Sequence, residues 1–311
     1  MIVKKIIRDE EMKTFEGYSF DENHYNTIIN DSIDVFREDG TLLLSFHKNV
    51  LPNHYNNTIA DNLRKIAIKK HNNRGASAGI LDWRKISNYV KEFIEPKVFR
   101  TKYEAKSGKP SKRSISNLAP SNIIGYFDKR DINKPKSNPC RMTAFTKNNI
   151  ENWNNTLPFF KHIDCLFKQF IPDRHENQLT RARLKPKYQI EDTSFTTVTV
   201  NYSWRTSCHK DKGDYEDGFG NLIVIEDERN PNTYEGCYIG FPQYGICVNV
   251  RKGDFLGMDV HEYHCNTEFK PVYDKLIPFN KFTEMDYINE WCFNRMSIVC
   301  YLRKNMIKCI D

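Results

Sequence analysis

His209 and Asp211 are two residues apart, and both follow a run in which polar and apolar side chains alternate. That run, Thr197–Tyr202, has the period-two pattern of a half-buried β-strand. Side chains two residues apart at the end of such a strand project to the same side. An imidazole and a carboxylate placed in this way predict two ligands of a metal ion. A third ligand must come from a later part of the chain.

Two histidines are candidates for the third ligand. His261 and His264 follow Phe255–Val260, which is a second strand-like run. Two histidines and one carboxylate on one face, with open coordination positions, form the facial triad of non-haem Fe(II) oxygenases. The residues by themselves leave both His261 and His264 open as the third ligand.

Arg295 and Ser297 indicate how an organic co-substrate would be anchored. The open positions of a facial triad accept a 2-oxo acid and O₂, and the far carboxylate of that acid needs a cation. Arg295 opens the last strand-like run, and its planar guanidinium can bond both oxygens of a carboxylate. Ser297 faces the same side of that strand and would add a hydroxyl group. His-x-Asp alone is common, whereas this ordered set of pieces is much more specific.

Short strands must position these residues in the carboxy-terminal part of the chain. The strand-like runs are 195–203, 222–226, 238–241, 246–250, 255–260 and 295–302. Turn residues separate the runs, and strands of this length and spacing predict a sandwich or a barrel-like roll. An insertion at about 267–292 separates the last two strands.

The first 194 residues have a mixed pattern. They predict strands at 41–46, 125–128 and 139–145, and helices at 55–70, 82–93, 148–170 and 176–185. We expect Pro158 to interrupt the third of these helices. We also expect one elaborated domain over 1–311, in which 1–194 support a core formed by 195–311 and contribute to nucleic-acid binding.

Composition narrows the class of protein. The chain has 311 residues with a mean hydropathy of −0.68. It has no apolar run long enough to cross a bilayer, and its first residues are not followed by the apolar region of a signal peptide. We therefore expect a soluble intracellular protein, cytoplasmic or nuclear, without an evident protein partner. Nine cysteines without a CxxC pair predict reduced thiols rather than a disulfide framework or a zinc site.

Positive charge is concentrated in residues 97–141. The whole chain carries +7, whereas this window has twelve Lys and Arg against three Asp and Glu. Such a segment indicates a polyanionic partner, most commonly nucleic acid, although a solvated loop region would have the same composition. The candidate contact residues are Lys109, Lys112, Arg113, Lys129, Arg130 and Arg141, with Arg181, Arg183, Lys185 and Lys187 as further candidates.

The candidate ligands lie in pieces of sequence that resemble the TET/JBP family of Fe(II)- and 2-oxoglutarate-dependent nucleic-acid dioxygenases. These pieces are Cys208–Asp211, Gly253–Asp254, Glu262–Thr267 and Arg295–Val299. The family pattern around the distal histidine selects His264 over His261 as the ligand. The resemblance also implies that Arg295 and Ser297 bind 2-oxoglutarate. Stretches around Arg74 and between residues 125 and 145 resemble the viral and protist branch of the family less specifically.

The resemblance implies a fold and an activity. The fold would be α+β, with a double-stranded β-helix core of the jelly-roll, cupin-like kind and the helices of the amino-terminal half packed around it. Fe(II) would be held by His209, Asp211 and His264, and 2-oxoglutarate would be the co-substrate. The reaction would oxidise the 5-methyl group of 5-methylcytosine or thymine, and the base must leave the stack of duplex DNA to reach a buried metal.

Asp214 leaves a second co-substrate as an alternative to 2-oxoglutarate. It lies three residues after Asp211, as in a similar algal member of the family that uses ascorbate to place a glyceryl group on 5-methylcytosine. Asp214 would then contact the co-substrate, or it would cap the turn with Gly213. The pattern is also compatible with an Fe(II)/2-oxoglutarate hydroxylase of a protein or small molecule, and with a non-catalytic nucleic-acid binder.

Overall fold

The computed structural model describes residues 1–71, 74–79, 119–128, 140–272 and 293–309. The strands are β1 (Ile2–Val3), β2 (Thr27–Ile29), β3 (Ile33–Arg37), β4 (Leu42–His47), β5 (Ser121–Phe127), β6 (Arg141–Met142), β7 (Thr197–Tyr202), β8 (Gly220–Glu226), β9 (Tyr234–Gly236), β10 (Ile239–Phe241), β11 (Ile246–Val248), β12 (Phe255–Met258), β13 (Cys265–Asn266), β14 (Phe269–Pro271) and β15 (Arg295–Tyr301). The α-helices are α1 (Asp9–Thr14), α2 (His54–Ala67), α3 (Ala144–Asn148), α4 (Ile150–Phe170) and α5 (Pro172–Arg183).

The strands form one large sheet and two smaller ones. The large sheet has the order β1-β3-β4-β12-β8-β15-β7-β5-β6, and a four-stranded sheet has the order β13-β10-β11-β2. β14 and β9 form a separate pair. Most pairs are antiparallel, but β1 lies parallel to β3 and β2 lies parallel to β11. Strands from both halves of the chain therefore share each of the two larger sheets.

Two hydrophobic clusters define the layers of the fold. In the first, apolar residues of α2 and α4, such as Leu63 and Phe160, pack against residues of the large sheet, such as Val198 and Ile223. In the second, the opposite face of the large sheet packs against the four-stranded sheet, for example through Leu222 and Phe241 of the two sheets. The result is an α+β fold in which helices cover one face of the large sheet and a second sheet covers the other.

β15 shows how one strand serves both layers. Met296, Ile298 and Cys300 belong to the cluster on the helix side. Because side chains alternate along a strand, Arg295, Ser297 and the other odd-numbered residues face the second sheet. The central position of β15, between β8 and β7, places this polar row inside the fold.

α4 continues through Pro158 and is not interrupted there, contrary to the sequence-based expectation. Proline removes one hydrogen bond of the helix and disfavours its interior. Buried aromatic and aliphatic side chains lie on both sides of it, including Trp153, Phe160 and Ile163. Tertiary packing of these residues outweighs the local preference of proline.

Most of the remaining predicted elements agree with the described chain in type and differ in their bounds. The strand predicted at 139–145 is wrong in its second half, because β6 covers only Arg141–Met142 and the side chain of Thr143 caps the start of α3. All six carboxy-terminal strand runs are confirmed by β7, β8, β10, β11, β12 and β15, and the helices predicted at 55–70 and 176–185 correspond to α2 and α5. The helix predicted at 82–93 lies outside the described residues, as does most of the 267–292 insertion. The expected domain boundaries stay a prediction. None of the described helices has the length and apolar character needed to cross a membrane.

The cysteines correct one expectation. Cys140 and Cys309 are joined as a disulfide, with Cα atoms 5.6 Å apart although 169 residues separate them in sequence. The prediction of reduced thiols is therefore wrong for this pair, because the fold alone brings the two positions together. The remaining described cysteines are free, and all of these except Cys165 are buried.

Candidate metal centre

His209 and His264 face each other across two short chain segments. The amide of His209 donates to the carbonyl of His264 at 3.1 Å, and the amide of His264 donates to the carbonyl of His209 at 3.0 Å. This reciprocal pairing continues into β13, which begins at the next residue, Cys265. The imidazole rings lie with their centroids 4.4 Å apart. Backbone pairing thus brings together two histidines that are 55 positions apart in the sequence.

Asp211 completes a cluster of three possible ligands. One carboxylate oxygen lies 3.7 Å from Nε2 of His209, and the other lies 3.7 Å from Nε2 of His264. One ligand atom from each of the three residues falls within 4.8 Å of the others. The amide of Asp211 donates to the carbonyl of Val260 at 2.9 Å, which holds the aspartate beside the end of β12. The geometry matches the donors and the count of a facial triad.

The hydrogen bonds of the two rings leave the same nitrogen of each histidine for a metal. Nδ1 of His209 lies 2.7 Å from the carbonyl oxygen of Ser207, and Nδ1 of His264 lies 3.0 Å from that of Glu262. A carbonyl oxygen only accepts, so Nδ1 must carry the proton in both bonds. Each Nε2 is then the ring nitrogen left for a metal, and it lies on the side of Asp211. Such a partner on the second nitrogen fixes the tautomer and orientation of metal-binding histidines.

Burial supports the neutral form of His209. Burial and then the neighbouring His264 ring lower the pKa of His209 to about 4, against the opposing effect of Asp211. The imidazole is therefore neutral at physiological pH, which is the form that coordinates a metal.

His261 is not part of the cluster. Its Nε2 lies 3.3 Å from the carbonyl oxygen of Tyr215, and its amide donates to Asp259 at 3.0 Å. The two candidates for the third ligand are therefore separated by the fold, and His264 is the one that faces Asp211.

The three candidate ligands line a cavity of about 220 Å³, which we call the metal cavity. Ser297, Val299 and Tyr301 of β15 line the same cavity, in agreement with their common face of the strand. The Ser297 hydroxyl accepts a hydrogen bond from Asn201 at 3.1 Å. The predicted Ser297 position is therefore beside the candidate ligands.

Arg295 lies on the same face of β15 but does not line that cavity among the described residues. It is buried, and Nη1 donates to the hydroxyl of Tyr234 and to the carbonyl of Val250, both at 2.9 Å. Nη2 is also buried and has no hydrogen-bond partner in the described part of the chain. A buried guanidinium nitrogen without an acceptor is costly, and a carboxylate would satisfy it.

Asp214 is buried and lines the metal cavity next to Asp211. It pairs with Arg303 across an antiparallel bridge. Burial and the neighbouring Asp211 carboxylate raise the pKa of Asp214 well above its ordinary value, against the opposing effect of Arg303. Within the described residues its carboxylate makes no hydrogen bond to the backbone of the turn at Gly213, so the described contacts do not support the role of a turn cap.

Of the predicted nucleic-acid residues, the structure describes Arg141 and the group Arg181, Arg183, Lys185 and Lys187. Lys109, Lys112, Arg113, Lys129 and Arg130 lie outside the described residues. Arg141 is exposed, and its guanidinium lies 5.8 Å from the centre of the Phe127 ring.

Several cavity residues were not singled out as site residues from sequence, among them Trp204, Tyr301, Arg303 and Ser77. Tyr301 and Arg303 continue the alternation of Arg295 and Ser297 along β15 and just beyond it. That period-two spacing is the signal that could have identified them. Trp204 and Ser77 have no comparable signal, because neither belongs to a strand with such a period.

The comparisons with known proteins agree with this geometry. The chain is 31% identical over 183 residues to "Thymine dioxygenase JBP1-B" of Trypanosoma cruzi, covering 59% of this chain and 19% of that protein. It is 33% identical over 188 residues to "Bifunctional helicase and thymine dioxygenase JBP2" of Leishmania braziliensis, covering 60% of this chain and 15% of that protein. The chain thus spans about a fifth or less of the length of these relatives.

A solved structure shows the same fold. The structure described as "NgTET1 in complex with 5mC DNA" superimposes with a TM-score of 0.53 at 13% identity, covering 99% of this chain and 84% of that one. Residues 122–304 match the family Tet_JBP, described as the oxygenase domain of the 2OGFeDO superfamily, and they include all three candidate ligands. The chain therefore belongs to the Tet_JBP family.

Proposed function

We propose that this chain is an Fe(II)- and 2-oxoglutarate-dependent dioxygenase that oxidises the 5-methyl group of 5-methylcytosine or thymine in DNA. The observation that carries the proposal is the convergence of two Nε2 atoms and one carboxylate on a single cavity. Membership of an oxygenase family supports the iron and the co-substrate. The names of the relatives, which are thymine dioxygenases, support a pyrimidine as the substrate.

The residues present fit both groups that the family implies. Two imidazoles and one carboxylate, with positions left open, are the donors of non-haem Fe(II) sites. We assign Arg295 to the far carboxylate of 2-oxoglutarate, because its buried Nη2 lacks an acceptor among the described residues. When bound, Fe(II) and 2-oxoglutarate supply O₂ activation and hydroxylation of a C–H bond, with succinate and CO₂ as the other products.

The chain's own residues position the ligands and exclude water from the cavity. Carbonyl oxygens hold both imidazole rings, so the ligand set is organised before a metal binds. Leu222, Ile239 and Met258 line the metal cavity with apolar side chains. The rings of Trp204 and Tyr301 line it as well, and they are available to stack on a pyrimidine that has left the duplex.

We further propose that the two facing sheets correspond to the double-stranded β-helix of the family, within a single domain over 1–311. The antiparallel pairing of β8, β12 and β15 opposite β10, β11 and β13 supports this proposal. A jelly roll closes two antiparallel sheets around one core in this manner.

The direct test uses purified protein with Fe(II), 2-oxoglutarate and two DNA substrates, one containing 5-methylcytosine and one containing only unmodified bases. Release of succinate and a nucleoside that has gained one oxygen atom are expected. Asp211→Ala should abolish both products. Asp31→Ala is the matched control, since Asp31 is exposed and lies away from the metal cavity. Equal activity of the two variants would contradict the metal assignment.

A related reaction that transfers a glyceryl group from ascorbate is the second candidate. Asp214 lines the metal cavity beside Asp211, and this position supports the second candidate. The two reactions give nucleosides of different mass, and only the first consumes 2-oxoglutarate. Mass spectrometry of nucleosides after incubation with each co-substrate separately therefore distinguishes them.

A further inference from the structure

A second and larger cavity, of about 650 Å³, adjoins the metal cavity. Four residues line both cavities: Arg74, Ser121, Ile123 and Arg303. The second cavity is therefore continuous with the side of the metal cavity formed by β5 and the chain after β15. We call it the basic cleft.

The described residues that line the basic cleft carry charge of a single sign. Its cationic lining residues are Lys65, Lys69, Arg74, Arg141 and Arg303, and His71 also lines it. No acidic side chain occurs among its described lining residues. Lys65, Lys69 and Arg141 are exposed, so their charges face solvent in the cleft. A concave surface lined by charge of one sign concentrates ligands of the opposite sign.

Lys65 lies in the last turn of α2, and Lys69 lies two residues beyond the end of that helix. Both residues line the basic cleft. The side-chain amide of Asn122 in β5 donates to the carbonyls of Ile66 and Lys69, each at 2.6 Å, and holds this turn against the large sheet. Lysines at a helix C-terminus also stabilise the helix dipole. That local role does not explain why Arg74 and Arg141, from different segments, converge on the same cleft.

The remaining cations are held in place by their neighbours. The guanidiniums of Arg141 and Arg303 lie 5.8 Å and 4.6 Å from the centre of the same Phe127 ring. Arg303 also donates to the buried Asp128 at 2.5 Å. Arg74 donates through Nε to the carbonyl of Ser121 at 3.1 Å. Positioned cations beside an aromatic ring are the elements with which proteins hold a nucleic-acid strand.

We propose that the basic cleft binds the phosphodiester backbone of the strand that carries the target nucleotide. The inference rests on the proposed function, since it names the path by which the substrate reaches the metal cavity. A base that leaves the stack remains attached to its backbone, so the flanking phosphates must lie at the mouth of the cavity that receives it. The shared residues Arg74 and Arg303 place the basic cleft directly beside the metal cavity.

The test measures the affinity of the metal-loaded protein for a 5-methylcytosine oligonucleotide as a function of salt. Each phosphate contact adds about 0.9 to the slope of log K against log salt for duplex DNA. The double variant Lys65→Gln/Lys69→Gln should reduce the slope by roughly 1 to 2. The control Lys48→Gln/Lys168→Gln removes two exposed lysines that line neither cavity, and its slope should equal that of the unmodified chain.

A second arm assigns the contact to phosphate. An oligonucleotide with uncharged methylphosphonates on both sides of the target should bind the unmodified chain more weakly and with a lower slope. The cleft variant should lose little or nothing further with this oligonucleotide, because the same contacts are already absent. Equal losses in the variant and the unmodified chain would overturn the proposal.

The proposed function and the basic cleft fail in different ways. If the unmodified chain oxidises DNA and the cleft variant retains its affinity and salt slope, only the cleft assignment is wrong. If the unmodified chain binds Fe(II) but neither binds nor oxidises nucleic acid, the proposed function fails and the cleft assignment fails with it. A thermal unfolding curve and Fe(II) binding equal to those of the unmodified chain exclude misfolding of the variant.

Discussion

His209 and His264 exchange two backbone hydrogen bonds, so the main chain fixes the distance between the two imidazoles before a metal arrives. The carbonyls of Ser207 and Glu262 then orient the rings. Ligands held in this way need little rearrangement on binding, which lowers the cost of forming the site. Asp211 is the more exposed partner, with 42% of its side chain accessible.

The distinction between His264 and His261 can be measured. We expect His264→Ala to weaken the binding of Fe(II), or of Mn(II) as a stable substitute, by more than about 100-fold, since loss of a ligand's hydrogen-bond partner alone costs about 10- to 100-fold. His261→Ala should bind the metal as the unmodified chain does, because His261 lies outside the cluster. Titration calorimetry gives both affinities. The reverse order would mean that His261 is the ligand.

Arg295 should control the affinity for 2-oxoglutarate. Arg295→Lys keeps the charge but loses the second nitrogen of the fork, and we expect the Kd for 2-oxoglutarate to rise by about 10- to 100-fold while metal binding is retained. Arg251→Lys is the matched control, because both guanidiniums lie over the Tyr234 ring. A larger loss in the control would move the anchor from Arg295 to Arg251.

We expect Asp214→Asn to reduce turnover without reducing stability. The substitution keeps the shape of a buried side chain and removes an ionisable group whose pKa is raised by burial and by Asp211. We therefore expect a free energy of unfolding equal to or above that of the unmodified chain, together with reduced turnover of the nucleic-acid substrate. Urea denaturation and steady-state kinetics measure the two effects. A loss of stability with unchanged kinetics would support the turn-cap role.

Removal of the metal should leave the chain folded. The candidate ligands belong to neither of the two large hydrophobic clusters. A metal at 100 times its Kd adds about 2.7 kcal/mol of stability, so chelation should lower the Tm by several degrees without unfolding the protein at room temperature. The Tm of His209→Ala should not respond to metal or chelator. Collapse of secondary structure on chelation, followed by circular dichroism, would contradict this expectation.

We expect any side chain at Gly236 to lower the free energy of unfolding. Its φ is +70°, and an added Cβ would lie 2.2 Å from the carbonyl oxygen of Glu268. Gly236→Ala should cost about 1–2 kcal/mol for the left-handed backbone and about 1–3 kcal/mol more for the overlap. Gly40→Ala is the control, because Gly40 has φ +81° and no atom of the described residues lies within 4 Å of an added Cβ. The difference between the two free energies of unfolding isolates the overlap, and equal values would show that β14 moves away.

Local patterns in the sequence determined much of this protein. Alternation along 195–203 and 295–302 identified β7 and β15, and the short spacing of His209 and Asp211 identified two of the three candidate ligands. Helical periodicity identified α2 and α5. β1, β2 and β3 were not predicted. β2 belongs to its sheet through parallel pairing with β11, which lies more than 200 residues later and which local alternation does not report.

The remaining features depend on tertiary structure. Local spacing left both His261 and His264 open, and the resemblance to the TET/JBP family selected His264. The fold pairs His264 with His209. The basic cleft depends on the same kind of contact, since α2, Arg74 and Arg141 are distant in sequence and meet only around β5. Periodicity reports which side of an element is buried, but it does not report which partner element covers that side. The geometry of the metal ligands and the charge of a cavity both depend on which elements pack against each other.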